Sequence, residues 1–239
     1  YENKYSFKII ISPKNSSAIA RNIGALNSTS ELVAFLDSDV ILEPNYYEII
    51  IEYFERYKNL IAIQGVDKSL IDSSKKLKRI NLLRKLLYHF EQFFETSTLL
   101  NRDKIYVSPS LAVSHPNVEK DFELESQWIS TCAGVFKRSI FSNYLFPDNF
   151  ITYSNNEYLF LSYSLFKNKE GQMMYVSKAK YRDIQTTSGR LNTIDLIYQI
   201  QTYDLFIFNK LFSKNIINVF IYLKSRIGQL IYNLLKAYF

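Results

Sequence analysis

Two aspartates stand directly after an apolar run that predicts a buried strand. Residues 32–36 read LVAFL, and Asp37-Ser38-Asp39 follows them. Ligands of an open parallel sheet bind beyond the carboxyl ends of its strands, so both carboxylates are expected at a ligand site. Two like charges this close need a cation or a hydrogen-bond network to remain ionised. A hard divalent cation that bridges them to a diphosphate would supply it, and a pair of solvated loop aspartates is the alternative.

The composition restricts the class of protein and of metal site. The chain has 239 residues, 47% of them hydrophobic and 22% charged, which excludes a disordered chain and favours one compact domain. Its one cysteine, Cys132, excludes an internal disulfide and a cysteine-based zinc site, and two histidines leave metal binding to carboxylates. A net charge of +6 suits a polyanionic small substrate, a membrane surface or nucleic acid.

The elements that must position these aspartates alternate along the first 65 residues. The pattern predicts three strands with a helix after each of the first two: strand 7–12, helix 16–27, strand 32–36, a helix after Pro44, and strand 60–65. Such alternation implies a parallel sheet with right-handed crossovers. Later segments predict a helix at 75–94, a strand at 127–136, a helix at 156–166, a strand at 173–176 and helices after Gly189.

Three motifs occur in an order that is typical of one enzyme family. Residues 20–25 read ARNIGA, residues 31–39 read ELVAFLDSD, and Pro44-Asn45-Tyr46 follows. Together they resemble the nucleotide-sugar half of family 2 glycosyltransferases, and residues 130–141 extend the resemblance. It implies a GT-A-like (Rossmann-like) α/β fold with a mixed, mostly parallel sheet flanked by helices. We expect a catalytic domain at 1–189 and a C-terminal amphipathic helical extension at 190–239.

The resemblance implies an activity and a role for several residues. The expected enzyme is an inverting glycosyltransferase that moves a sugar from a nucleotide-diphosphate donor to a hydroxyl acceptor, a glycan or a lipid-linked one, in surface glycan or polysaccharide synthesis. Glu157 takes the place of the catalytic base, Asp39 would bind Mg²⁺ or Mn²⁺, and Asp37 would contact the donor. Further residues are assigned by the same resemblance: Arg21 and Asn22 to the donor, and Trp128, Lys137 and Arg138 to the acceptor.

Each of these residues also has a structural interpretation. Arg21 could be a helix-surface arginine, Asn22 a helix-interior asparagine and Trp128 a core residue, while Lys137 and Arg138 could be solvated charges. Asp183 follows the last predicted strand, where many members of the family carry a histidine. A metal or phosphate role and a surface position both stay open for it.

Two departures from the family pattern lead to alternative functions. The family opens with a strand and an acidic loop that hold the nucleotide, and nothing upstream of Phe7 supplies them. We therefore expect a chain that lacks the N-terminal nucleotide-binding strands, folds, and transfers sugar poorly. One alternative is an impaired relative that acts as a membrane-binding or partner-binding module. Another is a haloacid-dehalogenase-like phosphatase with Asp37 as nucleophile, although the second acidic pair of that class is not evident.

The C-terminal segment is basic and amphipathic. Residues 205–239 contain four lysines, one arginine and no acid, with apolar residues at helical spacing. The pattern predicts either a helix in an anionic membrane interface or one packed on the catalytic domain. We find no signal peptide and no run of eighteen uncharged apolar residues, so the expected location is cytoplasmic, including the inner face of the membrane. Nucleic acid is not an expected partner, because the basic residues are scattered.

Overall fold

The computed structural model describes residues 8–71, 82–151, 156–184 and 193–238. These residues form a mixed α/β fold in which five strands follow the order β1-β5-β3-β6-β2 and β4 also pairs with β6. The strands are β1 Leu32–Ala34, β2 Val40–Leu42, β3 Leu60–Asp67, β4 Glu123–Glu125, β5 Val135–Lys137 and β6 Gln172–Asp183. The helices are α1 Ser17–Asn27, α2 Tyr46–Arg56, α3 Leu82–Phe94, α4 Glu157–Lys167, α5 Thr193–Leu211 and α6 Ile216–Tyr238, and Arg138–Ser142 is a 3₁₀ helix.

Local signals account for the first helix and for the central strand. Ser16 caps α1, because its hydroxyl accepts a hydrogen bond from the backbone N–H of Ile19 at 3.2 Å. Every residue of β3 is buried, as the continuous apolar run predicts for a strand that is covered on both faces. Helix α2 covers one face of the sheet with Tyr46, Ile50 and Tyr53. Helices α1, α4 and α5 contribute to the core on the other face.

The mixed sheet is confirmed, but its pairings differ from the expected predominance of parallel ones. Among the strands of the described residues, only β3 and β6 pair in parallel, whereas β1–β5, β3–β5, β2–β6 and β4–β6 are antiparallel. Strands β1 and β3 run in the same direction, as predicted, but β5 lies between them. Which strands become neighbours depends on long-range contacts, and the local alternation of strands and helices carries no information on them.

Two predicted strands are absent or much shorter among the described residues. Residues 8–12 form no strand, and the side chains of Ile9 and Ile11 are 82% and 87% exposed; Phe7 lies outside the described residues. Of the predicted strand 127–136 only the end forms β5. The backbone N–H groups of Ser130 and Cys132 donate to side chains instead, namely Gln64 Oε1 at 2.6 Å and Ser130 Oγ at 3.1 Å. The predicted helix 75–94 is present from Leu82, and residues 75–81 lie outside the described part.

The chain is helical beyond residue 193, as predicted, with a break between α5 and α6. Tyr203, Ile207 and Phe208 of α5 and Tyr222 of α6 belong to the same buried cluster as the strands and α4. The packed alternative is therefore confirmed for α5 and for one face of α6. The domain boundary at residue 189 stays a prediction.

Candidate functional site

An arginine joins two of the predicted carboxylates. Arg21 lies on α1, four residues after the first helical residue, and its side chain is 17% exposed. Its Nη2 donates to Asp37 Oδ1 at 2.9 Å, and its Nη1 donates to Glu157 Oε1. Asp37 follows β1 and Glu157 opens α4, so three distant segments meet at one guanidinium. The structure thus brings together Arg21, Asp37 and Glu157, which the sequence analysis had placed in the donor site and in the catalytic position.

Glu157 is held at the start of a helix in a buried environment. The preceding Asn156 has a left-handed backbone with φ of 66°, a conformation that asparagine tolerates better than most residues. Only 4% of Glu157 is exposed. Burial raises the pKa of its carboxyl from 4.5 to about 7, although the nearby Arg21 opposes this shift. A carboxylate with a pKa near neutral is suited to accept a proton at physiological pH.

The position of Asp37 is fixed by backbone pairing beyond the end of β1. Phe35 N–H donates to Gly134 O at 3.0 Å, and Asp37 N–H donates to Cys132 O at 3.2 Å. Burial, together with the charge of the Asp37 carboxylate, raises the pKa of the Cys132 thiol to about 12, so the thiol stays protonated. Gly134 permits the tight course of the segment that carries Cys132, because a Cβ there would lie 2.1 Å from the carbonyl oxygen of Ser130. No sequence signal placed Cys132 beside Asp37.

The second aspartate lies where β2 and β6 meet. A turn follows Asp37, in which Val40 N–H donates to Asp37 O at 3.2 Å. The carbonyl of Asp39 accepts from Ile184 N–H at 2.9 Å, and Asp183 is in register with Val40. Asp183 also donates its N–H to the Asp67 carboxylate at 3.3 Å. The antiparallel pairing of β2 with β6 therefore places Asp183 next to Asp39, at the carboxyl ends of β3 and β6.

The number and placement of these carboxylates determine whether a divalent cation fits here. Within the described ranges, no three side chains of His, Cys, Asp or Glu are arranged to hold a metal ion. Mg²⁺ is usually bound by one or two carboxylates together with phosphate oxygens and waters. Asp39, with Asp37 35% exposed two residues before it, provides that kind of donor set. The residues fit a cation that binds together with a diphosphate.

Arg21 and Asp37 of this cluster also line a groove, and Glu157 is not among its lining residues. The groove has a volume of about 560 Å³ and runs between α1 and β1, with Arg21, Gly24, Leu32 and Asp37 among its lining residues. Strand β1 stands at the end of the strand order, and no strand of the described residues pairs with its outer edge. The volume of the groove lies in the range of small-molecule sites.

Two predicted site residues, Asn22 and Trp128, have structural partners away from the cluster around Arg21. Asn22 is buried, and its amide exchanges hydrogen bonds of 2.9 Å with the carbonyl and the N–H of Phe146. Trp128 is 3% exposed, donates to Ser114 O at 3.3 Å, and is surrounded by rings of His115, Tyr158 and Tyr175. Asn22 thus fixes a loop, and Trp128 is a core residue with no face available to stack on a sugar.

Lys137 and Arg138 lie at the opposite end of β1 from the cluster around Arg21. Lys137 is in register with Leu32, and Arg138 N–H donates to Glu31 O at 2.8 Å. Asp37 is five residues after Leu32 and lies beyond the end of β1, which corresponds to about 16 Å of extended chain. Lys137 Nζ and Arg138 Nε donate to the backbone carbonyls of Lys58 and Ser30. The acceptor role expected for this pair therefore does not extend to the cluster around Arg21.

The C-terminal helices reach the site through a buried ion pair. Asn156 Nδ2 donates to Asp204 Oδ1 at 2.9 Å, and Arg226 Nη1 donates to Asp204 Oδ2 at 2.6 Å. Asp204 lies on α5 and is 3% exposed, and Arg226 lies on α6. Arg226 Nη2 also donates to Ser110 O at 3.0 Å. No sequence signal indicates this link, because Asp204 and Arg226 stand in segments that resemble ordinary amphipathic helices.

Comparisons with known proteins give a family and distant structural likenesses. Residues 1–113 match the family model described as Glycosyl transferase family 2. No curated protein matches the chain. A crystal structure of GalNAc-T7 with UDP, GalNAc and Mn²⁺ aligns at 12% identity and a TM-score of 0.46, over 73% of this chain and 31% of that one. A crystal structure of A197 from STIV aligns at 15% identity and a TM-score of 0.40, over 74% of this chain and 72% of that one.

Proposed function

We propose that the chain is an inverting glycosyltransferase that takes its sugar from a nucleotide-diphosphate donor, because residues 1–113 match the family model described as Glycosyl transferase family 2. The observation that carries the proposal is the ion-paired cluster of Arg21, Asp37 and Glu157, drawn from three segments of the chain. The cluster joins the acidic motif after β1 to a buried carboxylate at a helix start. Two of its members, Arg21 and Asp37, line a groove of about 560 Å³.

The donor occupies this groove in our proposal, with its diphosphate at the Asp37–Asp39 turn. A divalent cation, Mg²⁺ or Mn²⁺, bound by Asp39 would neutralise the charge that develops on the leaving diphosphate. Arg21 keeps Asp37 in place and adds positive charge to the same end of the groove. Asn22 supports the loop at Phe146 rather than the donor.

Glu157 accepts the proton of the acceptor hydroxyl as that oxygen attacks the anomeric carbon. Its pKa of about 7 leaves a large ionised fraction at neutral pH while the carboxylate stays basic. Arg21 orients the carboxylate through its Nη1. The acceptor is a glycan or a lipid-linked hydroxyl compound, and surface glycan or polysaccharide synthesis is the role that we propose.

The test of this function is cation-dependent donor binding by the full chain. Mn²⁺ with UDP, and separately with GDP, is titrated calorimetrically into the wild type, Asp39→Ala and Asp103→Ala, the last a control because Asp103 is exposed and outside the cluster. We expect Asp39→Ala to weaken binding by at least about tenfold, the loss of roughly one charge-assisted contact, while the control binds as the wild type does. Equal binding by Asp39→Ala contradicts the metal role. Failure of the wild type to bind either nucleotide, or to hydrolyse any of a panel of UDP- and GDP-sugars, contradicts the proposed function.

A further inference from the structure

Helix α6 packs on the rest of the molecule through its more polar face. Ser225 is fully buried and donates to the Glu95 carbonyl at 3.0 Å, and Arg226 forms the ion pair with Asp204. At Gly228 an added Cβ would lie 2.4 Å from the Cβ of Phe94, so α6 and α3 are in close contact there. These contacts identify the inward face of α6 and show that it holds the polar groups of the helix.

The outward face of α6 is apolar along most of its length. Its large hydrophobic residues follow one another at intervals of four, three, four, three and four, and each is more than half exposed: Ile216 85%, Phe220 66%, Leu223 52%, Ile227 55%, Leu230 61% and Leu234 61%. A helix on the surface of a globular protein normally has the reverse arrangement. Scattered exposed hydrophobic residues are common, whereas a continuous row of them indicates an interaction surface.

The apolar surface continues onto the neighbouring helix α3. Leu82, Leu86 and Phe93 lie on one side of that helix and are 73%, 58% and 66% exposed. Lys224 of α6 lies 5.2 Å from the ring centroid of Phe93, so a cation sits between the two rows. We call the outward faces of α6 and α3 together the apolar platform.

Width and charge decide which partner the platform fits. Viewed down the axis of α6, Leu230 and Ile217 mark the two edges of the exposed apolar face. At 3.6 residues per turn this face covers about 140° of the circumference, which is wider than the seam of a two-helix coiled coil. The segment 205–239 has five basic residues and no acid. Lys224 and Arg226 pair with Glu95 and Asp204, but Lys210 and Lys214 just before α6 are exposed. A second copy related by this face would bring these exposed lysines together, whereas anionic lipid headgroups would complement them.

No helix within the described ranges is long and apolar enough to cross a membrane. A helix of 23 residues is about 35 Å long and can lie flat in the boundary between headgroups and acyl chains. Lys210 and Lys214 are exposed near the beginning of α6, where they would meet the headgroups. We propose that the apolar platform is a docking surface for the interface of an anionic lipid bilayer, with α6 lying in the plane of the membrane.

Vesicle flotation of the full chain tests the proposal. The probes are vesicles of phosphatidylcholine alone and of phosphatidylcholine with about a third phosphatidylglycerol. The test variant is Phe220→Glu with Leu230→Glu, on the platform. The matched control is Leu26→Glu with Ile51→Glu, which makes the same charge change at residues of α1 and α2 that are 58% and 47% exposed.

We expect the wild type and the control to bind the anionic vesicles equally well, and the platform variant to bind at least about tenfold more weakly. All substituted side chains point outward, so circular dichroism and thermal melting should be unchanged. Equal binding by the two double variants, or no binding by the wild type, overturns the proposal. A wild-type dimer in analytical ultracentrifugation that the platform variant dissociates, without vesicle binding, assigns the surface to a second copy and also overturns it. None of these outcomes depends on donor binding, so they are independent of the proposed transferase activity.

Discussion

Replacement of Glu157 by glutamine should change both the stability and the activity of the protein, and each in a pH-dependent way. The folded state raises the pKa of this carboxyl from 4.5 to about 7, chiefly because burial disfavours the charged form. The folded protein therefore binds this proton more tightly than the unfolded chain does. Its contribution to stability is complete below pH 4.5 and is lost as the pH rises through about 7.

The size of this contribution follows from the shift. A rise in the pKa of Glu157 from 4.5 in the unfolded chain to about 7 in the folded protein corresponds to about 3 kcal/mol in the free energy of unfolding. Glutamine resembles the protonated carboxyl and does not titrate. Between pH 4.5 and 8 the free energy of unfolding of the wild type should thus fall by about 3 kcal/mol more than that of Glu157→Gln. Titration of all other groups affects both proteins alike.

The activity should follow the opposite course. Sugar transfer by the wild type should rise as the pH passes about 7, because the base must be ionised. Glu157→Gln should lower turnover by about a hundredfold or more while donor binding is retained.

The assay compares urea unfolding at several pH values with turnover at the same values. Glu55→Gln serves as the control, since Glu55 is exposed on α2. A Glu157→Gln variant with the same pH slope of stability as the wild type would refute the assignment of the raised pKa. Near-normal turnover in that variant would refute its role as the base.

Two further substitutions test the ion pairs around the site. Arg21→Lys should destabilise the protein by about 1–3 kcal/mol in urea unfolding and lower turnover, because one ammonium cannot reproduce a guanidinium that bridges Asp37 and Glu157; unchanged stability would contradict a structural role for the bridge. Asp204→Asn should cost about 3–5 kcal/mol, because it leaves Arg226 buried without its carboxylate. A loss below 1 kcal/mol would show that the pair is solvated in the folded protein.

The sequence indicated which residues meet in the candidate site, but not which groups Asn22 and Trp128 contact. The order of the motifs identified Arg21, Asp37 and Glu157, and the structure brings them together. For Trp128 and Asn22 the sequence left a ligand role and a structural role open, because residue type and motif position do not report burial, and the structure favours the structural role. Both residues hydrogen-bond to distant backbone groups, of Ser114 and Phe146, which only the folded chain brings near.

The pairing of the sheet shows the same limit at the level of strands. Buried strands were recognised from apolar runs, and β3 is the clearest example. The insertion of β5 between β1 and β3 has no local signal, because β5 is only three residues long and comes from a segment about 70 residues further along the chain than β3. It nevertheless determines which end of β1 lies near Cys132 and which lies near Lys137.

Helix α6 connects the two proposals physically. Its outward face carries the apolar platform, and its inward face carries Arg226, which binds Asp204 at 2.6 Å. Asp204 in turn holds Asn156, the left-handed residue that immediately precedes Glu157. A membrane that binds the platform would therefore act on a helix that is two hydrogen bonds from the residue beside the proposed base. Because this path consists of buried, ion-paired groups, membrane contact and the orientation of Glu157 are expected to depend on the same helix.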